Sequence, residues 1–201
     1  MKLLRIDASS RIEDSDSRKM ANQFQEHWQK SNPEGSIILR DIVNKPIPHI
    51  QQKTIEGFYS SKEQFNDELK HATQLSDILI TELKETDILL ISTPMYNFSI
   101  PSALKAWIDH IVRINSTFGI NKESQFYGMV ENVKAYIITS AGAVYNSKEM
   151  KALDFVQPYL QTVLGLIGIT DITFLSLEGT TMDPEIFENT KQVVSGIINK
   201  L

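Results

Sequence analysis

Three short stretches of this 201-residue chain combine residue types suited to ligand chemistry, and each follows a brief apolar run. The first, Ala8-Ser9-Ser10-Arg11 through Ser15-Asp16-Ser17, is rich in hydroxyls and leads into a helical pattern. Unpaired N–H groups at a helix start, together with the positive end of its dipole, bind anions such as phosphate. Ser10, Ser15 and Ser17 would add O–H donors to that cradle. A plainer account is that Ser15 or Ser17 merely caps the helix. Neither the glycine-rich dinucleotide fingerprint nor a Walker sequence is present, which disfavours classical dinucleotide and nucleoside-triphosphate binding.

The second stretch is Pro94-Met95-Tyr96-Asn97-Phe98. Tyr96 and Phe98 offer flat apolar surfaces, and Asn97 offers a donor and an acceptor. A flat heteroaromatic with an imide-like edge, such as a flavin, needs that mixture. A strand-ending proline followed by partly buried aromatics would give the same residues. The third stretch, Ser140-Ala141-Gly142-Ala143, is a small-residue turn in which Gly142 permits positive φ and close approach of N–H groups to a ligand. An ordinary turn would also suffice.

The elements that must position these stretches read as strands alternating with helices. Leu3–Ile6, Ser36–Leu39, Ile88–Ile91, Ala135–Ile138 and Ile172–Leu175 are apolar runs of strand length. Met20, Phe24 and Trp28 mark a helix after the serine stretch. Phe65, Leu69, Ala72, Leu75, Leu79 and Leu83 mark the clearest helix, with Lys62, Glu63, Asp67, Glu68 and Lys70 largely off that stripe. A helix from about Pro101, in whose first turn Pro101 fits, buries Leu104, Ile108, Ile111 and Val112. Leu153–Ile167 reads as largely helical, bent or delayed by Pro158. Pro184 opens a last helix with Val193, Val194, Ile197 and Ile198. Residues 43–59, with Pro46 and Pro48, read as a surface connection. The expectation is one α/β domain over residues 1–201, a five-stranded parallel sheet covered on both faces. Ligands of such sheets sit beyond the carboxyl ends of the strands, where strand order reverses. In the order 2-1-3-4-5 the three stretches converge on that edge.

Composition narrows the function. Twenty basic against twenty-five acidic residues give a net charge of −5, with no electrostatic footprint for nucleic acid. No apolar run approaches the roughly 18–20 residues that span a bilayer, and Asp7 arrives too early for a signal-peptide core. The absence of Cys excludes disulfides, thiolate metal sites and Cys nucleophiles. His27, His49, His71 and His110 are dispersed without metal-ligand spacing and read as surface or packing residues, so no metal is expected. A soluble, cytoplasmic protein is the expectation.

At its three loops the chain resembles the FMN-dependent NADH azoreductase/quinone reductase family, of flavodoxin-like fold. The similar pieces are Ser9-Ser10 with Ser15-Asp16-Ser17, Met95-Tyr96-Asn97-Phe98 running to Ser99-Ile100-Pro101, and Ile137–Ser140 running into Ala141-Gly142-Ala143. Pro158-Tyr159-Leu160 and Leu164–Ile169 are similar to the family's late helix and turn. The resemblance implies a three-layer sandwich with one non-covalent FMN per subunit. Ser10, Ser15, Asp16 and Ser17 would hold its phosphate, Asp16 through its N–H only, with its carboxylate turned outward. Met95, Tyr96, Asn97 and Phe98 would flank the ring, and Ser140, Ala141, Gly142 and Ala143 would lie along its pyrimidine side. It also implies a homodimer in which a long loop of each subunit shapes the other's pocket, and the apolar run Leu164–Ile169 reads as richer in exposed hydrophobics than a monomer needs. Ile120 stands where relatives often have tyrosine, and Ala141 lacks a longer side chain that some carry, which bears on substrate range.

The implied reaction moves a hydride from NADH to a quinone, removing electrophilic quinones, or in two cycles cleaves an aromatic azo compound to amines. One pocket used in turn gives ping-pong kinetics. Tyr96, Asn97 and Phe118 are the candidates for stacking and for donating hydrogen bonds to developing charge. An FMN reductase, a flavodoxin-type electron carrier and a non-flavin phosphate-binding module are the competing readings. Electron carriers usually bear a dense acidic docking face, which a charge of −5 spread over 201 residues does not suggest.

Overall fold

The computed structural model describes residues 1–61 and 63–201, so Lys62, assigned above to the polar side of a helix, lies outside the described residues. Strand β1 (Lys2–Asp7) leads through the serine loop to α1 (Asp16–Ser31), β2 (Ser36–Asp41), α2 (Gln52–Tyr59), α3 (Asp67–Lys84) and β3 (Ile88–Pro94). After α4 (Ser102–Ile111) comes a small hairpin, β4 (Phe118–Ile120) and β5 (Phe126–Gly128). The chain closes with β6 (Lys134–Ser140), the single-turn α5 (Lys148–Lys151), α6 (Val156–Ile167), β7 (Ile172–Leu177) and α7 (Pro184–Ile198).

Five strands pair in the order β2-β1-β3-β6-β7, all parallel, which is the expected 2-1-3-4-5 order once the hairpin strands are numbered in. Alternation along β1 sends Leu4 and Ile6 to one face and Leu3 to the other. The first face is covered by Leu79 and Leu83 of α3, Leu104 and Trp107 of α4, and Leu160 and Leu164 of α6. The second is covered by Met20, Phe24 and Trp28 of α1 with Val194 and Ile198 of α7. The result is a three-layer α/β sandwich of flavodoxin-like form. Among the described residues no helix is long and apolar enough to cross a membrane.

Several expectations need correction. Residues 43–59 are not all surface connection, because α2 forms there and buries Thr54, Gly57 and Phe58 at helical spacing. Two turns are too short for periodicity to reveal. Helix α3 begins after Asn66, whose side chain accepts from Leu69 N at 3.0 Å, leaving Phe65 outside it and 37% exposed. Its buried stripe includes Thr73 and Ser76, while Ala72 and Leu75 are half-buried. Small polar residues fit there because Ser76 donates to the His110 carbonyl at 2.7 Å. Pro101 is the N-cap of α4, and Pro158 sits within the first turn of α6, which begins at Val156 rather than near Leu153. In α7 only Val194 and Ile198 are buried, and Val193 and Ile197 face solvent. The run Leu164–Ile169 is no exposed apolar patch: Leu164, Ile167 and Ile169 belong to the core.

The hairpin is docked by a close backbone approach. Gly168 caps α6 with φ +107°, a left-handed conformation that costs other residues heavily. A side chain at Gly128 would place its Cβ 2.2 Å from Gly168 Cα. Val130 N and Met129 N both donate to Ile167 O, at 2.9 and 3.0 Å. Gly128→Ala is therefore expected to lower stability by about 1–3 kcal/mol through overpacking. Denaturant unfolding checks this, and an unchanged midpoint would refute the close approach.

Candidate functional site

The carboxyl ends of β1, β3, β6 and β7 share one edge. Asp7 pairs with Ser92, Pro94 with Ser140, and Ser140 with Leu177. Ala8 N donates to Ser92 O at 2.9 Å and Met95 N to Ser140 O at 2.8 Å, so the loops after β1, β3 and β6 leave the sheet side by side.

In the serine loop, Ser15 is the N-cap of α1, its Oγ accepting from Arg18 N at 3.4 Å and lying 3.1 Å from Ser17 Oγ. Capping and ligand binding are compatible, because the amides of Asp16 and Ser17 have no partner among the described residues. Ser10 is exposed, while Ser9 is buried with its Oγ accepting from Arg11 N at 3.3 Å. Asp16 lines a cleft between α1 and α7 with Lys19, Phe187 and Lys191.

Beneath this loop is a charged cluster that the apolar reading of β1 passed over. Arg5 and Asp7, two apart on the strand and therefore on one face, form a bidentate pair at 3.0 and 2.9 Å. Arg18 donates twice to Ser9 O, at 3.2 and 2.8 Å, and twice to Asp41, at 2.7 and 3.0 Å. Asp41 also accepts from the backbone N–H groups of Val43 and Asn44. The Arg18 hydrogen bonds, helped by those N–H groups, hold the Asp41 carboxyl well below the usual carboxylate range against the opposing effect of burial. The same bonds to Asp41 raise Arg18, with smaller contributions from the charges of Asp7 and Asp41 and from Tyr96 of the neighbouring loop. The sequence signal was present: two charges within a buried apolar strand are rare unless paired.

The second loop is a tight turn. Tyr96 and Ser99 exchange backbone bonds of 2.9 and 3.0 Å across Asn97 and Phe98, whose φ values are +49° and +66°. Two left-handed central residues define a type I′ turn. For phenylalanine this conformation is strained, and strain of this kind clusters at binding sites. Phe155 N donates to Phe98 O at 3.0 Å and holds the turn, while the amides of Asn97 and Phe98 have no partner among the described residues. Met95 and Tyr96 are half-buried; Asn97 and Phe98 are exposed.

In the third loop the carbonyls are occupied while two of the amides are not. Thr180 N donates to Ala141 O at 3.1 Å, Thr181 N and Met182 N to Gly142 O at 3.3 and 3.0 Å, and Gly179 N to Ala143 O at 3.0 Å. Ala141 N is taken by Leu177 O, leaving the amides of Gly142 and Ala143 without partners among the described residues. Gly142 does not use positive φ, contrary to expectation; in the adjoining strap after β7 that conformation falls to Gly179. The value of Gly142 is space, since a Cβ there would meet Thr181 Oγ1 at 3.3 Å. Sequence reasoning also missed Tyr145, which is buried beside this turn, its N–H donating to Glu178 at 2.8 Å and its phenol pushed up by burial.

Ser10, Ser15, Asp16 and Ser17, Met95 to Phe98, and Ser140 to Ala143 thus belong to adjacent loops of one edge. Phe118 does not join them within one chain. It lies beyond the far end of α4, whose ten residues run about 15 Å back from the edge, and stacks edge-on against Phe126 at 6.0 Å.

The parallel order, the three layers and the loops at the switch of strand order define a flavodoxin-like protein. A family model described as a flavodoxin-like fold matches residues 1–201, and the chain belongs to that family. It is 40% identical over 200 residues to an FMN-dependent NADH:quinone oxidoreductase of Herminiimonas arsenicoxydans, covering 100% of this chain and 98% of that protein. A protein of the same name from Xanthobacter autotrophicus is 44% identical over 172 residues, covering 85% and 82%. Among solved structures, an azoreductase from Bacillus anthracis superposes with a TM-score of 0.89 at 22% identity, both chains fully covered. An FMN-dependent NADH-azoreductase from the same organism, in complex with FMN, gives 0.86 at 22% identity, covering 100% of this chain and 99% of that one.

The depressed pKa of Asp41 has a signed consequence. Its folded value lies below the unfolded one, so its stabilisation is present above about pH 4 and is lost as the pH falls. Asp41→Asn is expected to be less stable at neutral pH and to lose less stability on acidification than the parent. Denaturant unfolding between neutral and acidic pH measures both, and parallel acid limbs would count against the pairing.

Proposed function

We propose that the chain is an FMN-dependent oxidoreductase, a single flavodoxin-like domain that transfers a hydride from NADH to quinones and aromatic azo compounds. The observation that carries this reading is the division of backbone groups along the sheet edge. Amides without partners among the described residues stand in pairs at Asp16–Ser17, Asn97–Phe98 and Gly142–Ala143, in loops that follow three adjacent strands. A phosphate matches the first pair, at a helix start, and a flat ring with acceptor atoms along its edge matches the other two. The residues present therefore fit FMN, and the names of the relatives agree.

In this reading Ser10, Ser15, Ser17 and the amide of Asp16 bind the phosphate. Met95, Tyr96, Asn97 and Phe98 flank the ring, and Ser140, Ala141, Gly142 and Ala143 border its pyrimidine side. FMN, when bound non-covalently at one per subunit, supplies hydride acceptance and release. The chain supplies stacking surface, hydrogen-bond donors and exclusion of water. Asn97 donates from its side-chain amide toward charge that develops at the polar edge. Tyr96 provides the face on which donor and acceptor rest in turn.

The working unit is a homodimer. Ile120, Phe126 and Tyr127 of the hairpin are 47%, 64% and 50% exposed, an apolar surface that a second copy can cover. Phe118 of the partner subunit then completes the stacking pocket, which reconciles its candidacy with its distance from Tyr96 in one chain. The protein is read as cytoplasmic and as removing electrophilic quinones.

With one cavity serving both substrates, initial-rate plots against NADH at several quinone concentrations are expected to be parallel, with high quinone inhibiting competitively against NADH. Intersecting lines would mean that both substrates bind together. Asn97→Ala leaves polar groups unpaired and is expected to cost roughly 1–3 kcal/mol, divided between FMN binding and turnover. Unchanged FMN affinity with unchanged quinone reduction would defeat the role given to Asn97.

A further inference from the structure

Arg18 is buried at 8% exposure, and its partners are internal. Its Nε and Nη2 converge on Ser9 O at 3.2 and 2.8 Å, its Nη1 and Nη2 hold the two Asp41 oxygens at 2.7 and 3.0 Å, and its Nη1 lies 3.5 Å from Asp7. Arg5 and Arg18 on one side and Asp7 and Asp41 on the other balance in charge. The guanidinium thus has no unmatched charge to offer an anion at the edge. What it controls is the direction of a carbonyl. Ser9 is the last buried residue before the exposed arc of residues 10–14, and a carbonyl turned outward there would repel a phosphate.

We propose that Arg18 is the positioning residue of the phosphate end of the site: by holding the Ser9 carbonyl inward beside Asp41, it turns that acceptor away from a phosphomonoester bound at the N–H and O–H donors of the loop. The inference rests on the FMN reading above and deepens it, since it assigns selectivity for the phosphorylated flavin to a residue that never touches the phosphate. The fork geometry is essential. A lysine at this position could reach one acceptor but could not span Ser9 O and both Asp41 oxygens.

The test compares FMN with riboflavin, which has the same ring system and no phosphate. Each is titrated by flavin fluorescence into the parent protein, Arg18→Lys and Asp41→Asn, with circular dichroism confirming the fold. Arg18→Lys is expected to weaken FMN about tenfold or more while riboflavin stays within about twofold. Asp41→Asn is expected to show the same selective loss at smaller amplitude, and it decides the matter should Arg18→Lys not fold. A parallel fall for both flavins, or unchanged FMN affinity, reduces Arg18 to a packing residue and overturns the proposal. A parent protein that binds FMN no more tightly than riboflavin overturns instead the phosphate placement itself, before any variant is compared.

Discussion

Burying charge is costly unless every charge is paired, and that constraint organises the carboxyl edge of this sheet. Arg5 and Asp7 point from β1 into the layer covered by α1, where water does not compete. Arg18 enters from the first turn of α1 and Asp41 from the end of β2, so two strands, a loop and a helix must meet in one arrangement for the cluster to close. Losing one member would strand another in a medium of low dielectric constant. The serine loop is anchored at both ends as a result, at Ser9 through its carbonyl and at Ser15 through the helix cap.

The same logic recurs along the edge with neutral groups. In each loop at least one carbonyl is engaged internally while a pair of amides is left without a partner among the described residues. Arg18 takes Ser9 O, Ser99 N takes Tyr96 O, and the strap after β7 takes the carbonyls of Ala141, Gly142 and Ala143. An edge built this way is a field of fixed donors, preorganised by hydrogen bonds already made. Such a field favours anions and ring acceptors without a dedicated acid–base pair. It also explains the tolerance of left-handed backbone at Asn97 and Phe98: the turn is bounded by the Tyr96–Ser99 pair and pinned by Phe155.

Apolar runs were the most legible part of the chain. The five main strands and most helices follow from runs such as Ile88–Ile91 and spacings such as Met20-Phe24-Trp28, because burial on a strand or a helix face imposes a period that survives in one dimension. What escaped was short or polar. Helix α2 has too few turns to show a period, the hairpin strands have three residues each, and Thr73 and Ser76 are buried because neighbours supply partners or close packing. The run Leu164–Ile169 misled in the other direction, since its leucine and isoleucines fill the core where α6 turns into β7.

The sequence by itself determined the class of fold, the sheet edge at which strand order reverses and the three loops that leave the strands there, because strand alternation and the residues that end each strand are local properties of the chain. Only the tertiary structure decided which groups those loops present. That Arg18 joins Ser9 to Asp41 and that residues 179–182 occupy the carbonyls of the glycine turn are pairings between residues apart in the chain. Residue type and spacing do not encode such pairings, since hydrogen bonds and charge pairs are chosen by which surfaces the packed layers bring within about 3 Å of each other.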